Sequence, residues 1–384
     1  MKLDIFCEVE KAGELDRKGE HQLIEETIAQ AELADRMGYG CWWQVEHHGA
    51  GEMSYSSAPE CLLSALSQRT KNIRIGHSVV LAPFAHPVRI AERTSTLDHL
   101  SNGRLELGFG RSTIPEWRLM GVKPDEAQAI TQETMEMVPQ MFTQNRFSWK
   151  SDRYEINNAR IRPQPYQEPH PPLWMSGSTE SSFKIAAQNG VGVLGVTMLT
   201  QVESMGLMIK TYREGIRHAK PVGSFVNNQV AVFTFVHCAE TTAKAIENGA
   251  AEACAWYLNT MVRFFELQQN MKARQEGSIP LADTGGAGFA GVRTAEEKNK
   301  DEAMDLIIRL GQGEQVSGEE VYEILGKHDS IIIGDPEACR KKMERYRDIG
   351  VDRLMCFQQV GNLSHRSIMQ SIELIGKHVL PAFH

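Results

Sequence analysis

Short apolar or β-branched runs alternate with longer amphipathic stretches along the chain, and each change of period marks a change of element. Lys2–Cys7 reads as a strand. Gln22–Met37 reads as a helix stopped by Gly38, a residue suited to the left-handed stop position. Cys41–Val45 is the next strand and Pro59–Gln68 the next helix. Ile73–Leu81 is almost wholly apolar, as expected of a strand covered on both faces. Pro87–Leu100 is helical, with proline at the tolerated first position. Leu105–Phe109 is the fourth strand and Asp125–Gln144 the fourth helix. In the second half Leu173–Ser176, Val193–Thr197, Gln229–Cys238 and Arg353–Phe357 read as strands five to eight. Helices are expected near Glu180–Asn189, Glu203–His218 and Thr241–Gln269, from Asp335-Pro336 to Gly350, and over His365–His378.

Eight strands, each followed by a helix, argue for an α/β fold of the (β/α)8 TIM-barrel type. A doubly wound open sheet is the competing reading, because strand count alone does not close a barrel. Two segments interrupt the alternation: an irregular insertion over 145–172 after strand four, and a longer one over 270–329 before strand eight. The second holds the Gly-rich run Thr284–Gly291 and a charged helix near Ala295–Leu310, and reads as a mobile lid or a flexible loop. No repeat and no second domain is visible, so 1–384 reads as one domain.

Composition narrows the function. Of 384 residues 41% are hydrophobic and 23% charged, which fits an ordinary globular protein. Lys and Arg number 41 against 49 Asp and Glu, a formal net charge of −8, and no basic patch marks a nucleic-acid partner. The longest apolar run, Val191–Leu199, is far short of the roughly 20 residues of a membrane span. The start of the chain is broken by Asp4, Glu8 and Glu10, unlike an export signal. Seven scattered cysteines without a C-x-x-C read as free thiols in a reducing cytoplasm.

Several motif searches fail. Gly190, Gly192 and Gly195 form a G-x-G-x-x-G at a helix-to-strand junction, the reverse of the nucleotide-binding context, so they read as a helix stop with close packing. There is no P-loop, no H-E-x-x-H and no G-x-S-x-G. Glu46, His47 and His48 are adjacent and on a strand would not all reach one metal, so no metal site is expected.

Positive signals collect at strand ends, where barrel enzymes keep their active face. Strand two leads into Glu46-His47-His48, candidate acid–base groups, with Glu46 pointing the other way along the strand. Strand four ends in Gly108-Phe109-Gly110-Arg111, two glycines that let a ligand approach the backbone and a cation at the mouth that suits a phosphate or a surface salt bridge. Strand five leads into Ser176-Gly177-Ser178-Thr179-Glu180-Ser181-Ser182. That run makes either a helix N-terminus open to an anion or a plain N-cap. Trp42, Trp43, Phe84, Trp117 and Met198 lie near strand ends and could line an apolar cavity, although such residues are more often core.

These residues together resemble the bacterial luciferase-like family of flavin-dependent monooxygenases. The resemblance rests on Glu46-His47-His48, on Ala85-His86-Pro87, and on Leu97-Asp98 with Ser101, Gly103, Arg104, Gly108 and Arg111. It extends to Ser178–Ser182, Gly334-Asp335-Pro336-Glu337 and Ser371-Ile372-Glu373-Leu374, and so to nearly the whole chain outside Asn270–Asp329. It implies FMN at the strand C-termini, a homodimer, and reduced FMN delivered by a separate flavin reductase. The implied reaction is oxygenation of a small, apolar organic substrate by dioxygen. His47 matches the family's catalytic histidine and Arg111 its phosphate-binding arginine. Thr179 and Ser182 match the hydroxyls that bind the phosphate, with Ser178 in the same turn. His77-Ser78 falls where family members place a non-prolyl cis peptide against the flavin. Gly110 stands where some luciferases carry a reactive cysteine, leaving more room over the flavin. A deazaflavin-dependent reductase or dehydrogenase on the same fold, and a non-catalytic flavin-binding protein, are the alternatives.

Overall fold

The computed structural model describes residues 1–266 and 297–383. In chain order the elements are β1 (Lys2–Cys7), α1 (Arg17–Met37), β2 (Cys41–Gln44), α2 (Pro59–Arg69), β3 (Arg74–Leu81), α3 (Pro87–Leu100), β4 (Leu105–Gly110), α4 (Ile114–Met120) and α5 (Pro124–Thr143). There follow β5 (Phe147–Lys150), β6 (Glu155–Ala159), β7 (Leu173–Gly177), α6 (Glu180–Gln188), β8 (Gly192–Val196), α7 (Val202–Gly215), β9 (Val230–Cys238), α8 (Thr242–Glu247) and α9 (Ala250–Phe264). The last stretch holds helices Glu297–Gly311 and Gly318–Leu325, β10 (Ile331–Gly334), helix Pro336–Asp348, β11 (Arg353–Phe357) and helix His365–Leu374.

Eight parallel strands close on themselves in the order β1-β2-β3-β4-β7-β8-β9-β11. Closure runs from Val193↔Val230 between β8 and β9, through Arg353↔Ala231, to Lys2↔Arg353 between β11 and β1. The barrel reading therefore holds over the open-sheet alternative, with all eight expected strands in the ring.

The structure revises four local expectations. The helix at Gln22 begins at Arg17, because the Asp16 carboxylate caps it by accepting the Gly19 N–H at 2.8 Å. The expected helix Thr241–Gln269 is two helices, α8 and α9, parted by Gly249 at φ +81°. The insertion 145–172 carries an antiparallel hairpin, β5–β6, rather than irregular chain alone. Within 270–329, residues 270–296 lie outside the described residues, so the lid expectation is not addressed by them. The remainder forms helix Glu297–Gly311, as expected near Ala295–Leu310, and an unexpected second helix, Gly318–Leu325, and just past the segment β10 pairs with the second half of β9, from Ile331↔Phe235 to Gly334↔Cys238. β11 already holds the other edge of β9 as far as Phe357↔Phe235, so β10 takes the edge that β8 leaves.

One end of the barrel is sealed by a buried polar layer. Arg353 donates to both oxygens of Asp4, at 2.6 and 3.1 Å, and Trp43 Nε1 donates to Asp4 at 2.8 Å. Trp174 Nε1 donates to Glu106 at 2.7 Å, and Glu106 also accepts from Arg74. The two indoles meet edge to face at 5.3 Å. Above them Phe6 stacks on Phe233 at 4.3 Å, with Phe357 edge-on. These groups sit toward the strand N-termini, which leaves the C-terminal end as the open one. Trp43 is thus barrel floor, and Trp42, whose indole N–H donates to Gln44, is also fully buried; neither lines a mouth. Gly192 packs against the floor as expected of a close-packing glycine: a Cβ there would lie 2.3 Å from the Trp174 ring.

Candidate active site

The groups singled out at strand ends gather at the C-terminal end of the barrel, though not in the pairings that sequence proximity implies. The Glu46-His47-His48 run splits in two. Glu46 reaches sideways to β3, accepting the Leu81 N–H at 2.9 Å, and pairs with His48 Nε2 at 3.1 Å. His47 turns to a residue 69 positions away: its Nδ1 lies 3.3 Å from Glu116 Oε1. The same oxygen accepts the His48 N–H at 2.8 Å, and Glu116 Oε2 accepts from Ser112 Oγ at 2.5 Å. Glu116 is carried by α4, the short helix that follows β4, so the ends of β2 and β4 are tied through one carboxylate.

The Glu116 side chain is wholly buried while the His47 ring is 16% exposed. Burial alone would raise the carboxyl and lower the imidazole. In Glu116 burial is outweighed by the charge of His47 and by three hydrogen bonds, and its pKa falls. In His47 burial is outweighed by Glu116, with Glu8 and Glu46 adding to it, and its pKa rises. Both shifts favour the imidazolium–carboxylate form of the pair. The rings of Phe264 and Phe265, at the end of α9, stand edge-on to His47 at 5.9 Å each.

Where β3 meets β4 the backbone bends, and the register shifts between His77 and Val80. The non-prolyl cis bond is Ser78–Val79, one bond beyond the expected His77-Ser78. The shift matters for which side chain faces β4. Val79 fills the space above the β4 glycines: a Cβ on Gly110 would lie 2.1 Å from Val79 Cγ2, and one on Gly108 would lie 3.0 Å from Val79 Cγ1. The room expected at Gly110 is thus taken by Val79. His77 is buried with neither ring nitrogen partnered, and desolvation, aided by Arg93, brings its pKa down to about 4. Its side chain is therefore part of the core, and only the His77 backbone faces β4.

Arg111 follows β4 directly. Its carbonyl accepts the Trp117 indole N–H at 2.5 Å, and its guanidinium lies over the Trp117 ring at 5.9 Å. Trp117 is thereby a buried prop of this arginine rather than a cavity wall. β4 and β7 are neighbours with Phe109 opposite Met175, so Arg111 and Gly177 leave adjacent strands at one level. After Gly177, Thr179 caps α6 in a reciprocal box. Thr179 Oγ1 accepts the Ser182 N–H at 3.2 Å, and Ser182 Oγ accepts the Thr179 N–H at 3.0 Å. Ser182 Oγ also donates to the Thr179 carbonyl at 2.7 Å. The capping alternative is realised for these two hydroxyls. Thr179, Glu180 and Ser181 are exposed and Ser178 half-buried.

Sequence reasoning missed Glu116, Glu8, Glu10 and Tyr257. Glu8 and Glu10 follow β1 and are buried, and Tyr257 on α9 donates to Glu8 at 2.8 Å. A buried acid just past a strand was the available signal for Glu8; nothing local marks Glu116. Among the described residues no group of three or more His, Cys, Asp or Glu side chains is placed to hold a metal ion. A surface trough of about 540 Å³ between α5 and α6, lined by Asp125, Gln128, Gln132 and Asn189, holds none of these groups.

The strand-end geometry fits a flavin mononucleotide at its phosphate. Arg111 leaves β4 level with the exposed first turn of α6, which puts a cation on the strand next to a helix N-terminus.

The y4wF protein of Sinorhizobium fredii is 36% identical over 167 residues, 43% of this chain and 48% of that one, so the match spans about half of that relative's length. The oxygenase component of the flavin-dependent trigonelline monooxygenase of Acinetobacter baylyi is 24% identical over 100% of this chain and 96% of its own. Two solved structures share the fold. The oxygenating constituent of 3,6-diketocamphane monooxygenase from Pseudomonas putida, in complex with FMN, superposes with a TM-score of 0.70 at 16% identity, over 100% of this chain and 99% of that one. An F420-dependent secondary alcohol dehydrogenase superposes with a TM-score of 0.66 at 18% identity, over 100% and 99%. The family model of the luciferase-like monooxygenases matches residues 1–353, and with the closed barrel and its strand-end site this chain belongs to that family of flavin-dependent oxidoreductases.

Proposed function

We propose that the protein uses reduced FMN and dioxygen to oxygenate a small, apolar organic substrate at the C-terminal end of the barrel. The observation that carries this reading is the His47–Glu116 ion pair, ringed by Phe264 and Phe265, on the same barrel end as Arg111 and the first turn of α6. Bound reduced flavin would supply the electrons that activate dioxygen. The chain supplies the rest. Arg111 and the N–H groups of the first turn of α6, with Ser178, Thr179 and Ser182 shaping that turn, hold the phosphate. Val79 and the strip Gly108–Gly110 would lie against the flavin ring. With Nδ1 committed to Glu116, Nε2 of His47 is the ring atom that exchanges a proton with the reacting oxygen. The apolar rings of Phe264 and Phe265 keep water from that proton.

The same reading takes residues 1–384 as one domain, dimeric and cytoplasmic, served by a separate flavin reductase. It draws support from a full-length relative described as an oxygenase component and from the absence, among the described residues, of any helix long and apolar enough to cross a membrane. A second reading, hydride transfer with a deazaflavin, draws on the F420-dependent structure of the same fold. Dioxygen uptake and product analysis with reduced FMN and a panel of apolar substrates separate the two: uptake without any oxygenated product would sink the monooxygenase reading. His47→Ala should lower turnover by about 10²–10⁴-fold while leaving flavin affinity unchanged. Wild-type product yield in that variant would remove His47 from the chemistry.

A further inference from the structure

Helix α9 carries Tyr257, Met261 and Phe264 on one stripe at helical spacing, with Phe265 just past its last turn. The body of the helix is core. Tyr257, Leu258 and Met261 are buried, and Tyr257 O–H donates to Glu8, just past β1, at 2.8 Å. Seven residues on, a rise of about 10 Å, the same stripe reaches His47 past the end of β2. Burial falls away there: Phe264, Phe265 and His47 are all half-buried. Their rings meet edge to face, the two phenyl rings 5.0 Å apart and each 5.9 Å from the imidazole. Aromatic rings prefer that geometry, so each member of the trio helps to hold the other two.

The end of α9 is tied on two flanks. Arg118 of α4 pairs with Glu266 through both of its terminal nitrogens, at 3.0 and 3.2 Å. On the other flank Arg263 lies 3.8 Å from Glu52, in the turn that follows β2. Isolated surface pairs contribute little, but a two-point arginine–carboxylate pair fixes direction as well as distance. Helix α4 therefore reaches the trio twice, through Glu116 to His47 and through Arg118 to the end of α9. It also brings apolar surface to the same rim. Leu119 is 60% exposed and lies against Gly49, where a Cβ would come within 2.8 Å of its Cδ2.

We propose that Phe264 and Phe265 are the specificity-determining residues of this site, a wall that limits the width of an apolar substrate at His47, and that Arg118 positions this wall through Glu266. The proposal rests on the acid–base role given to His47 above. With Nδ1 held by Glu116, a substrate at the imidazole shares its space with two phenyl rings. Those rings offer apolar contact and no strong hydrogen bond, so hydrocarbon surface is favoured and a polar group would lose water without gaining a partner. They are packed against each other and yield little, so a substrate that is too wide overlaps them. Arg118 touches neither ring and acts by holding the chain that carries them.

Binding of cyclic ketones from cyclopentanone to cyclododecanone, read by the shift of the His47 Hε1 NMR resonance with oxidised FMN present, tests the wall without turnover. In the wild type the affinity should fall at least about tenfold toward the widest members, the scale on which apolar pockets discriminate. Phe264→Ala and Phe265→Ala should each remove that fall. Phe264→Leu, which keeps more of the packing, should move the limit the same way by less. Arg118→Gln should relax the limit in the same sense, as should ~1 M salt, and the exchange Arg118→Glu with Glu266→Arg should restore it. With reduced FMN and dioxygen, kcat/KM along the series should follow the order of binding. A uniform change across the series in both alanine variants overturns the proposal, as does binding that is absent or equal across the series in the wild type. An unaltered limit in Arg118→Gln overturns the positioning role of Arg118. A width limit in binding that Phe264→Ala removes, with no oxygenated product from any member, would refute monooxygenation instead and support the wall.

Discussion

At single residues the site is decided by contacts that a substitution table would not show. Gly110 is the sharpest case. It carries no special dihedral, yet a methyl there would overlap Val79 Cγ2 at 2.1 Å. Gly110→Ala should therefore destabilise the protein by about 1–3 kcal/mol, the usual loss on overpacking, read by urea denaturation. It should also weaken flavin binding by pushing Val79. An unchanged midpoint would mean that Val79 moves aside freely. Arg111 is different, because its cation is propped by Trp117 and by the strand behind it. Arg111→Ala should weaken FMN by about 1.5–3 kcal/mol, the range for hydrogen bonds to a charged group, and leave riboflavin nearly unaffected. Equal losses for both flavins would place Arg111 away from the phosphate.

Among elements, α4 does most for the site. It is seven residues long, yet it carries Glu116 to His47 and Trp117 to Arg111, so the proposed acid–base histidine and the proposed phosphate arginine share one support. The sign of its electrostatics is fixed by the two shifts. The raised pKa of His47 contributes stability in full below its ordinary value of 6.5, and that is lost as pH rises through the raised value. The lowered pKa of Glu116 contributes above its ordinary 4.5, and that is lost as pH falls through the depressed value. The pair is complete between those limits. Glu116→Gln removes the carboxylate that outweighs burial, so the titration of His47, followed by NMR, should move to lower pH. The alkaline limb of the kcat profile should follow it. A profile unmoved by the change would reduce Glu116 to a structural hydrogen-bond acceptor for the His48 N–H. The late helices answer to another device: Lys342 Nζ donates to the carbonyls of Gly326, His328 and Ile331 at 2.6–2.9 Å, which docks the start of β10 on helix Pro336–Asp348.

For the whole molecule the two ends of the barrel do opposite work. The floor is a dry polar lock, with Asp4 and Arg353 fully buried and bonded to each other, and it joins the first strand of the ring to the last. Arg353→Met would leave Asp4 buried with only the Trp43 indole as donor. It should lower stability by about 3–5 kcal/mol, measured by urea denaturation, with the greater part recovered in the double variant Asp4→Leu with Arg353→Met. A loss under 1 kcal/mol would show that water reaches the floor.

How much of this was legible beforehand divides along one line. The period of apolar residues along the chain identified all eight ring strands, since a strand covered on both faces must be apolar whichever partners it finds. The order of His47, Arg111 and Thr179 at strand ends followed from that, because parallel strands present their C-termini on one side. Partnership was not legible. Glu116 lies 69 residues from His47, and nothing in its own neighbourhood marks it as the carboxylate that charges an imidazole. The side chain of Val79, not that of His77, meets the β4 glycines, where the register of β3 shifts between His77 and Val80. β10 escaped because four residues between helices carry too short a period to be told from loop. Glu8 and Glu10 looked like charges interrupting an apolar start, and only the cover of α9 makes them buried acids. Local pattern specifies which faces of the chain must leave water, whereas closure of the ring specifies which distant groups then find one another inside it.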